Sequence, residues 1–246
     1  IMTLFLTSSP SGCPFEPGPD IPVLDTRNHL VAILRAVWPD HAVLGLAIAA
    51  DPHAYEENDE MCRVFLQSFA DAHLPLTDLI PCDARNQDEI GTLLPQSGFV
   101  MLCGGHVPTQ NHFFARIGLA GLFHSYHGIV MGVSAGSMNA ARIVYAAPEE
   151  PGEAADPHYS CWLNGLGLTE TRILPHYQFI REHVLDGQKV EDIALADSKK
   201  RHFLALPDGS YILCADGSEA LYGKAWYFAD GTMEEINEDE DVLPLR

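Results

Sequence analysis

Apolar and polar positions follow two patterns over the first two thirds of the chain. Short, continuously apolar runs such as residues 42–50 (AVLGLAIAA) are typical of strands that are buried on both faces of a sheet. Between these runs, apolar residues recur every three or four positions, as at Met61, Val64 and Phe65, which predicts amphipathic helices. We expect strands near 4–7, 42–50, 76–81, 99–103 and from 129, and helices near 28–38, 55–73, 87–94 and 110–119. This alternation predicts a mostly parallel sheet between two helical layers, a three-layer α/β/α sandwich.

The last third of the chain has a different pattern. Apolar runs at 203–206 and 210–213 are separated by Pro207-Asp208-Gly209, and a second pair of runs meets at Asp230-Gly231. Because Asp-Gly pairs favour tight turns between antiparallel strands, we expect two hairpins near the C-terminus. No linker rich in Pro, Gly or Ser divides residues 1–246, so a single α/β domain is expected.

Charge and cysteine content narrow the class of protein. The 34 acidic and 14 basic residues give a formal net charge of −20, which argues against binding to nucleic acids or anionic membranes. No apolar run approaches the roughly 18 residues that a transmembrane helix needs. Residues 2–7 lack the features of a signal peptide and are interpreted as a strand. The six cysteines show neither CxxC nor zinc-type spacing, which favours free thiols in a reducing cytoplasm and no metal site.

The run from residue 129 leads into Gly132-Val133-Ser134-Ala135-Gly136, followed by good helix formers. A strand, a sharp turn with Gly-x-Ser-x-Gly and a helix present a nucleophilic serine in hydrolases. Ser134 is therefore the candidate nucleophile. It requires a base, a group that orients the base, and donors for an oxyanion.

Oxyanion donors are expected at the edge of the sheet where Ser134 lies. One is the backbone N–H of Ala135, directly after the nucleophile. The strand near 99–103 runs into Gly104 and Gly105, where the backbone can approach a ligand closely. Since the carboxyl ends of parallel strands share one edge, either glycine is a candidate for the second donor.

The base and the acid are less well defined by the residues alone. His176 follows the short apolar run 172–175 and is therefore placed at a strand end, whereas His106 and His112 follow the two glycines and are competing candidates. Segment 148–156 offers four carboxylates for the acid. The residues by themselves do not choose among them.

Taken together, Gly-x-Ser-Ala-Gly-Ser, the upstream Gly-Gly, the downstream Pro-His and the stretch 206–212 (LPDGSYI) resemble the peptidase E (aspartyl dipeptidase) family, whose relatives include cyanophycinase. The resemblance covers about residues 95–215 and implies a fold like that of class I glutamine amidotransferases. By residue, it implies Ser134 as nucleophile, His176 as base, Ala135 with Gly104 or Gly105 as oxyanion donors, and Glu149 as the acid, with Glu150 and Glu153 as near alternatives.

The resemblance also bears on the substrate. The aspartyl dipeptidases use an arginine downstream of the histidine, whereas here the stretch 185–192 holds Lys189 and no arginine. Lys189 is therefore the candidate substrate-binding residue, and strict specificity for an N-terminal Asp is not expected. The expected activity is hydrolysis of small peptides or isopeptides through an acyl-enzyme, with no metal or cofactor. A homodimer is compatible with the family.

Three alternatives are open. An α/β-hydrolase esterase would share the serine motif but place its histidine late, as at His202. A glutamine amidotransferase would need a cysteine where the chain has Ser134, and Cys103 lies at another strand end. The same scaffold could also persist as a binding or regulatory protein with a vestigial site.

Overall fold

The computed structural model describes residues 2–11 and 23–245 of the chain; Cys13 lies outside these residues. The strands are β1 Thr3–Thr7, β2 Val43–Ile48, β3 Leu76–Cys82, β4 Phe99–Leu102, β5 Ile129–Val133, β6 Ile143–Tyr145, β7 Trp162–Asn164, β8 Ile173–Leu174, β9 Val184–Leu185, β10 Gln188–Lys189, β11 Phe203–Ala205, β12 Tyr211–Ala215, β13 Ser218–Tyr222, β14 Ala225–Ala229, β15 Thr232–Asn237 and β16 Val242–Pro244. The α-helices are α1 Leu30–Val37, α2 Tyr55–Asp71, α3 Ile90–Leu93, α4 Val107–Arg116, α5 Leu119–Leu122, α6 Ala135–Asn139, α7 Tyr177–Ile180 and α8 Val190–Ser198. Among the described helices, none is long and apolar enough to cross a bilayer.

Within the described residues, the main sheet has eight strands in the order β16-β13-β12-β1-β5-β4-β2-β3. Strands β1, β5, β4, β2 and β3 run parallel, while β12, β13 and β16 extend the sheet antiparallel beyond β1. The expected α/β fold with a mostly parallel sheet and antiparallel strands from the C-terminal third is therefore confirmed.

The continuous apolar runs supply two cores because successive side chains of a strand point to opposite faces. In β4, Val100 and Leu102 share a core with Phe113 of α4. Phe99 and Met101 of the same strand share the other core with Phe69 of α2. Helices thus cover both faces of the sheet, which is the reason that its strands contain so few polar residues.

A second sheet, in the order β15-β14-β11-β8, accounts for the other C-terminal strands. Its turn at Asp230-Gly231 joins β14 to β15 with φ values of 53° and 80°, as a two-residue hairpin turn requires. The expected hairpin at Asp230-Gly231 is therefore confirmed.

The hairpin that was expected at Pro207-Asp208-Gly209 is wrong. Strand β11 pairs with β8 and β14 in the second sheet, whereas β12 pairs with β1 and β13 in the main sheet. The Ser210 N–H donates to the Pro207 carbonyl at 3.1 Å, so the chain turns here, but only Gly209 of the Asp-Gly pair has a positive φ, 97°. This turn is therefore not the two-residue turn that joins paired antiparallel strands. The segment instead carries the chain from one sheet to the other.

Candidate active site

Ser134 occupies a strained turn between β5 and α6, with φ 49° and ψ −110°. Such angles are costly for a residue with a side chain and persist only where the surroundings hold them. The Ser134 N–H donates to the Thr7 carbonyl at 3.1 Å, which ties the turn to the end of β1. A Cβ at Gly132 would lie 2.6 Å from Ser137 Cα, and one at Gly136 would overlap the Leu102 carbonyl. Both glycines of the motif are therefore required by close packing.

His176 lies directly after β8 and the intervening Pro175, in a left-handed conformation with φ 55° and ψ 34°. Its Nε2 is 2.9 Å from Ser134 Oγ, and its Nδ1 is 2.7 Å from Asp208 Oδ1. With Nδ1 protonated toward the carboxylate, Nε2 is free to accept the serine proton. The structure thus brings together the two residues that the sequence named as nucleophile and base.

Asp208 is the carboxylate that contacts His176. Its Oδ1 also accepts a hydrogen bond from Ser8 Oγ at 2.7 Å. Burial by itself raises the pKa of Asp208, but the hydrogen bond and charge of His176 and the hydrogen bond from Ser8 outweigh it and hold the pKa below its usual value. The side chain is therefore an anion at neutral pH, positioned to orient and stabilise an imidazolium.

The structure does not bring Glu149, the candidate acid, into contact with His176. Glu149 Oε1 accepts the backbone N–H of Val107 at 2.9 Å, at the first residue of α4. Glu153 accepts from the backbone N–H groups of Glu149 and Glu150 and lies 2.8 Å from His106 Nε2. These carboxylates are engaged at the start of a helix, where backbone N–H groups need acceptors, and not at His176.

Gly104 and Ala135 lie next to the serine. A Cβ built on Gly104 would be 3.5 Å from Ser134 Cβ and 3.4 Å from the Val133 carbonyl oxygen. Ala135 is the first residue of α6, where an N–H has no partner within the helix. Gly105 follows with φ 155° and, like Gly104, is exposed. These positions are compatible with an opening that exposes Ser134 and backbone donors to a substrate.

The competing histidines have other partners. His106 Nδ1 is 2.7 Å from Thr109 Oγ1, opposite the contact of its Nε2 with Glu153. His112 lines a separate cavity of about 410 Å³ together with His53. His202 contacts Arg172, and its pKa is lowered by burial and by that arginine. His176 is thus the histidine whose contact to Ser134 the structure records.

The remaining candidates lie in different settings. The ammonium of Lys189 pairs with Glu191 Oε2 at 3.2 Å, so its predicted contact with substrate stays a prediction. Cys103 is fully buried, and burial raises the pKa of its thiol well above the usual value. Among the described residues, one set has donor atoms close enough to surround a metal ion: His106, Glu150 and Glu153, within 4.8 Å of one another.

Two contributors were missed by the sequence analysis. Asp208 stands within the 206–212 stretch that carries part of the family resemblance, but the local pattern of its Asp-Gly pair predicts a hairpin and not a contact with His176. Ser8 follows β1 without any motif around it.

A cavity of about 550 Å³ borders Asp208 and Gln178 on the side occupied by Arg181 and Trp226.

The fold and the site define an α/β protein that presents a serine hydroxyl at a strained turn, within reach of a histidine and an aspartate. The chain belongs to Peptidase family S51, whose sequence profile matches residues 48–221. Its general activity is therefore that of a peptidase, and the resemblance to the peptidase E family is confirmed.

Two solved structures share the fold. A peptidase from an acI-B1 actinobacterium aligns with a TM-score of 0.69 at 14% identity, over 100% of this chain and 97% of that chain. A candidate peptidase E protein from Listeria monocytogenes EGD-e aligns with a TM-score of 0.52 at 14% identity, over 96% of this chain and 98% of that chain. Such low identity shows the fold alone. No curated protein matches the sequence.

Proposed function

We propose that this protein is a serine peptidase that hydrolyses small peptides or isopeptides through an acyl-enzyme, with Ser134, His176 and Asp208 as its catalytic triad. The observation that carries the proposal is the continuous hydrogen-bonded chain from Ser134 Oγ through the imidazole to Asp208, with contacts of 2.9 and 2.7 Å. A serine hydroxyl needs such a base, and the base needs such an orienting carboxylate. This triad replaces Ser-His-Glu, the arrangement expected with Glu149.

In the first half of the reaction, Ser134 Oγ attacks the scissile carbonyl carbon while His176 Nε2 accepts the hydroxyl proton. The negative charge of Asp208 stabilises the imidazolium. The carbonyl oxygen becomes an oxyanion that accepts hydrogen bonds from the backbone N–H of Ala135 and of Gly104 or Gly105. When the carbon–nitrogen bond breaks, His176 returns the proton to the leaving amine, and the acyl group stays on Ser134.

In the second half, water attacks the acyl-enzyme. His176 accepts one proton of the water, and a second oxyanion forms in the same site. Its collapse breaks the bond between the acyl carbon and Ser134 Oγ, and His176 returns the proton to the serine. No redox step or additional group is needed for the atoms to balance.

Labelling with a fluorophosphonate probe tests the proposal without knowledge of the substrate. We expect wild type to be labelled and Ser134→Ala to be unlabelled, because the probe phosphonylates an activated serine. Ser125→Ala is a matched control on an exposed serine and should be labelled as wild type is. A folded wild-type protein that is not labelled would contradict the proposal and favour the vestigial scaffold.

The same assay tests the base. His176→Ala should lower the labelling rate by several orders of magnitude, about as much as triad losses do in other serine hydrolases. Near-normal labelling of that variant would redirect attention to His106 or His112. A screen of dipeptides that vary in the first residue would then define the substrate.

A further inference from the structure

Ser8 is the first residue after β1 and is completely buried, with 0% of its surface exposed. Strand β1 is the neighbour of β5 in the main sheet and runs parallel to it, with Thr7 opposite Val133. The end of β1 therefore lies beside the turn that carries Ser134. On its other side β1 pairs antiparallel with β12, with Thr7 opposite Tyr211, so the segment that contains Asp208 also arrives there.

The Ser8 hydroxyl joins the other two members of the proposed triad. It accepts the backbone N–H of His176 at 2.8 Å and donates its proton to Asp208 Oδ1 at 2.7 Å. A serine hydroxyl has one proton to donate and lone pairs to accept with, so both contacts form at once. The Ser8 backbone N–H also donates to the Ser210 carbonyl at 3.3 Å, two residues beyond Asp208.

Ser8 contacts the same carboxylate oxygen of Asp208 that His176 contacts. Oδ1 of Asp208 is the atom that His176 Nδ1 contacts, and the Ser8 proton reaches the same atom. Two donors from different directions restrict rotation of the carboxylate. They also favour its charged form, as the lowered pKa of Asp208 reflects.

The contact with His176 holds a strained backbone. His176 has a left-handed φ of 55°, which is uncommon for a residue other than glycine. Ser8 supplies an acceptor for its N–H, and the next N–H, that of Tyr177, donates to the Leu206 carbonyl at 3.1 Å. The angle at which the imidazole approaches Ser134 is thus determined partly by Ser8.

Thr7 completes the connection to the nucleophile. Its carbonyl accepts the Ser134 N–H, and its hydroxyl donates to the Gly132 carbonyl at 2.7 Å. Two consecutive residues at the end of β1 therefore contact the serine turn, the histidine and the aspartate, which come from three distant parts of the chain.

We propose that Ser8 is a positioning residue, which holds His176 and Asp208 in the relative geometry needed for proton transfer from Ser134. The inference rests on the proposed function. Small displacements of catalytic groups lower rates steeply, so loss of the hydroxyl should slow the chemical step by about 10- to 100-fold without weakening ligand binding.

The test compares Ser8→Ala with Ser9→Ala by fluorophosphonate labelling at a series of probe concentrations. Ser9 is the matched control, since it is the adjacent serine, is also buried, and its hydroxyl contacts Ser11. We expect the maximal labelling rate of Ser8→Ala to fall about 10- to 100-fold with an unchanged half-saturating concentration. Ser9→Ala should stay near wild type, and Ser8→Thr, which keeps the hydroxyl, should recover most of the rate.

A second readout does not depend on labelling. The low-field proton resonance of His176 Nδ1–H should shift or broaden in Ser8→Ala and stay unchanged in Ser9→Ala. Wild-type labelling and an unchanged resonance in Ser8→Ala would overturn the positioning role. So would loss of the thermal unfolding transition in Ser8→Ala, because Ser8 would then serve the fold. Failure of the proposed function gives a different result. In that case Ser134→Ala would be labelled as fast as wild type.

Discussion

Two loops carry carboxylates to this edge of the sheet, and only one of them contacts His176. The 149–153 loop is much closer to Ser134 along the chain, yet its Glu149 and Glu153 bind backbone and side-chain groups at the start of α4. The 206–210 loop is remote in sequence but crosses from β11 in the second sheet to β12 in the main sheet, next to His176. Proximity to Ser134 in sequence therefore does not select the carboxylate that contacts His176, whereas the path of the chain between the two sheets does.

The electrostatics of the two loops also differ. The Asp208 carboxylate has two side-chain donors on one oxygen, and these hold its pKa down despite burial. Glu149 keeps an exposed edge, but protein atoms around its carboxylate raise its pKa, and the N–H of Val107 and the nearby His106 offset this only in part. His176 thus contacts the carboxylate whose pKa is lowered by its surroundings.

The largest expected effect distinguishes the two loops directly. Asp208→Asn should slow fluorophosphonate labelling by about 10⁴-fold, because the imidazole loses the anion that orients it and stabilises its charge. Glu149→Gln keeps a side-chain oxygen for the Val107 N–H and should label within a few-fold of wild type. The reverse ranking would restore Glu149 as the acid.

A smaller effect is expected in the pH dependence of stability, and it has opposite signs in the two loops. The lowered pKa of Asp208 stabilises the fold above its unfolded value of about 4, and this contribution is lost as the pH falls through the folded pKa. The raised pKa of Glu149 stabilises the fold below about 4, and this contribution is lost as the pH rises through the folded pKa.

Urea unfolding of Asp208→Asn and Glu149→Gln between pH 3 and 7 measures this difference. Relative to wild type, the stability of Asp208→Asn should decline as the pH rises from acid, while that of Glu149→Gln should improve. Parallel pH profiles for the two variants would show that the surroundings of the two carboxylates do not differ as described.

The smallest effect is expected for Lys189, in the hairpin of β9 and β10 that contacts the 149–153 loop. Asp186, between β9 and β10, accepts the backbone N–H of Gly152 at 2.9 Å, and Lys189 of the same hairpin is already paired with Glu191. Exposed ion pairs contribute little to stability, so Lys189→Gln should keep the wild-type free energy of unfolding and change kcat/KM by only a few-fold. A large rise in KM confined to peptides with an acidic first residue would instead show that Lys189 binds the substrate.

Much of the fold could be predicted because its signals are local. The continuous apolar runs identified β1, β2, β4 and β5, since a strand buried on both faces has no polar alternation. Gly132 and Gly136 identified the serine turn, because the close packing there excludes a side chain. The pair Pro175-His176 placed a histidine at a strand end. Each of these features depends on residues that are neighbours in sequence.

The wrong hairpin at Pro207-Asp208-Gly209 and the unpredicted contacts of Ser8 share one cause. Pro207-Asp208-Gly209 has the local composition of a hairpin turn, but the strands before and after it find partners in different sheets. Ser8 has no local signature, because its role comes from contacts with residues that are far away in the chain. Pairing of distant strands is not encoded in a short window of sequence.

The sequence by itself determined the parallel sheet, the family and the strained serine, because apolar periodicity and the need for glycine are properties of short segments. Only the tertiary structure decided which carboxylate accompanies His176 and that Ser8 joins the two. Those contacts depend on β1, β8 and the 206–210 loop meeting at one edge of the sheet, and that meeting results from packing of the whole chain.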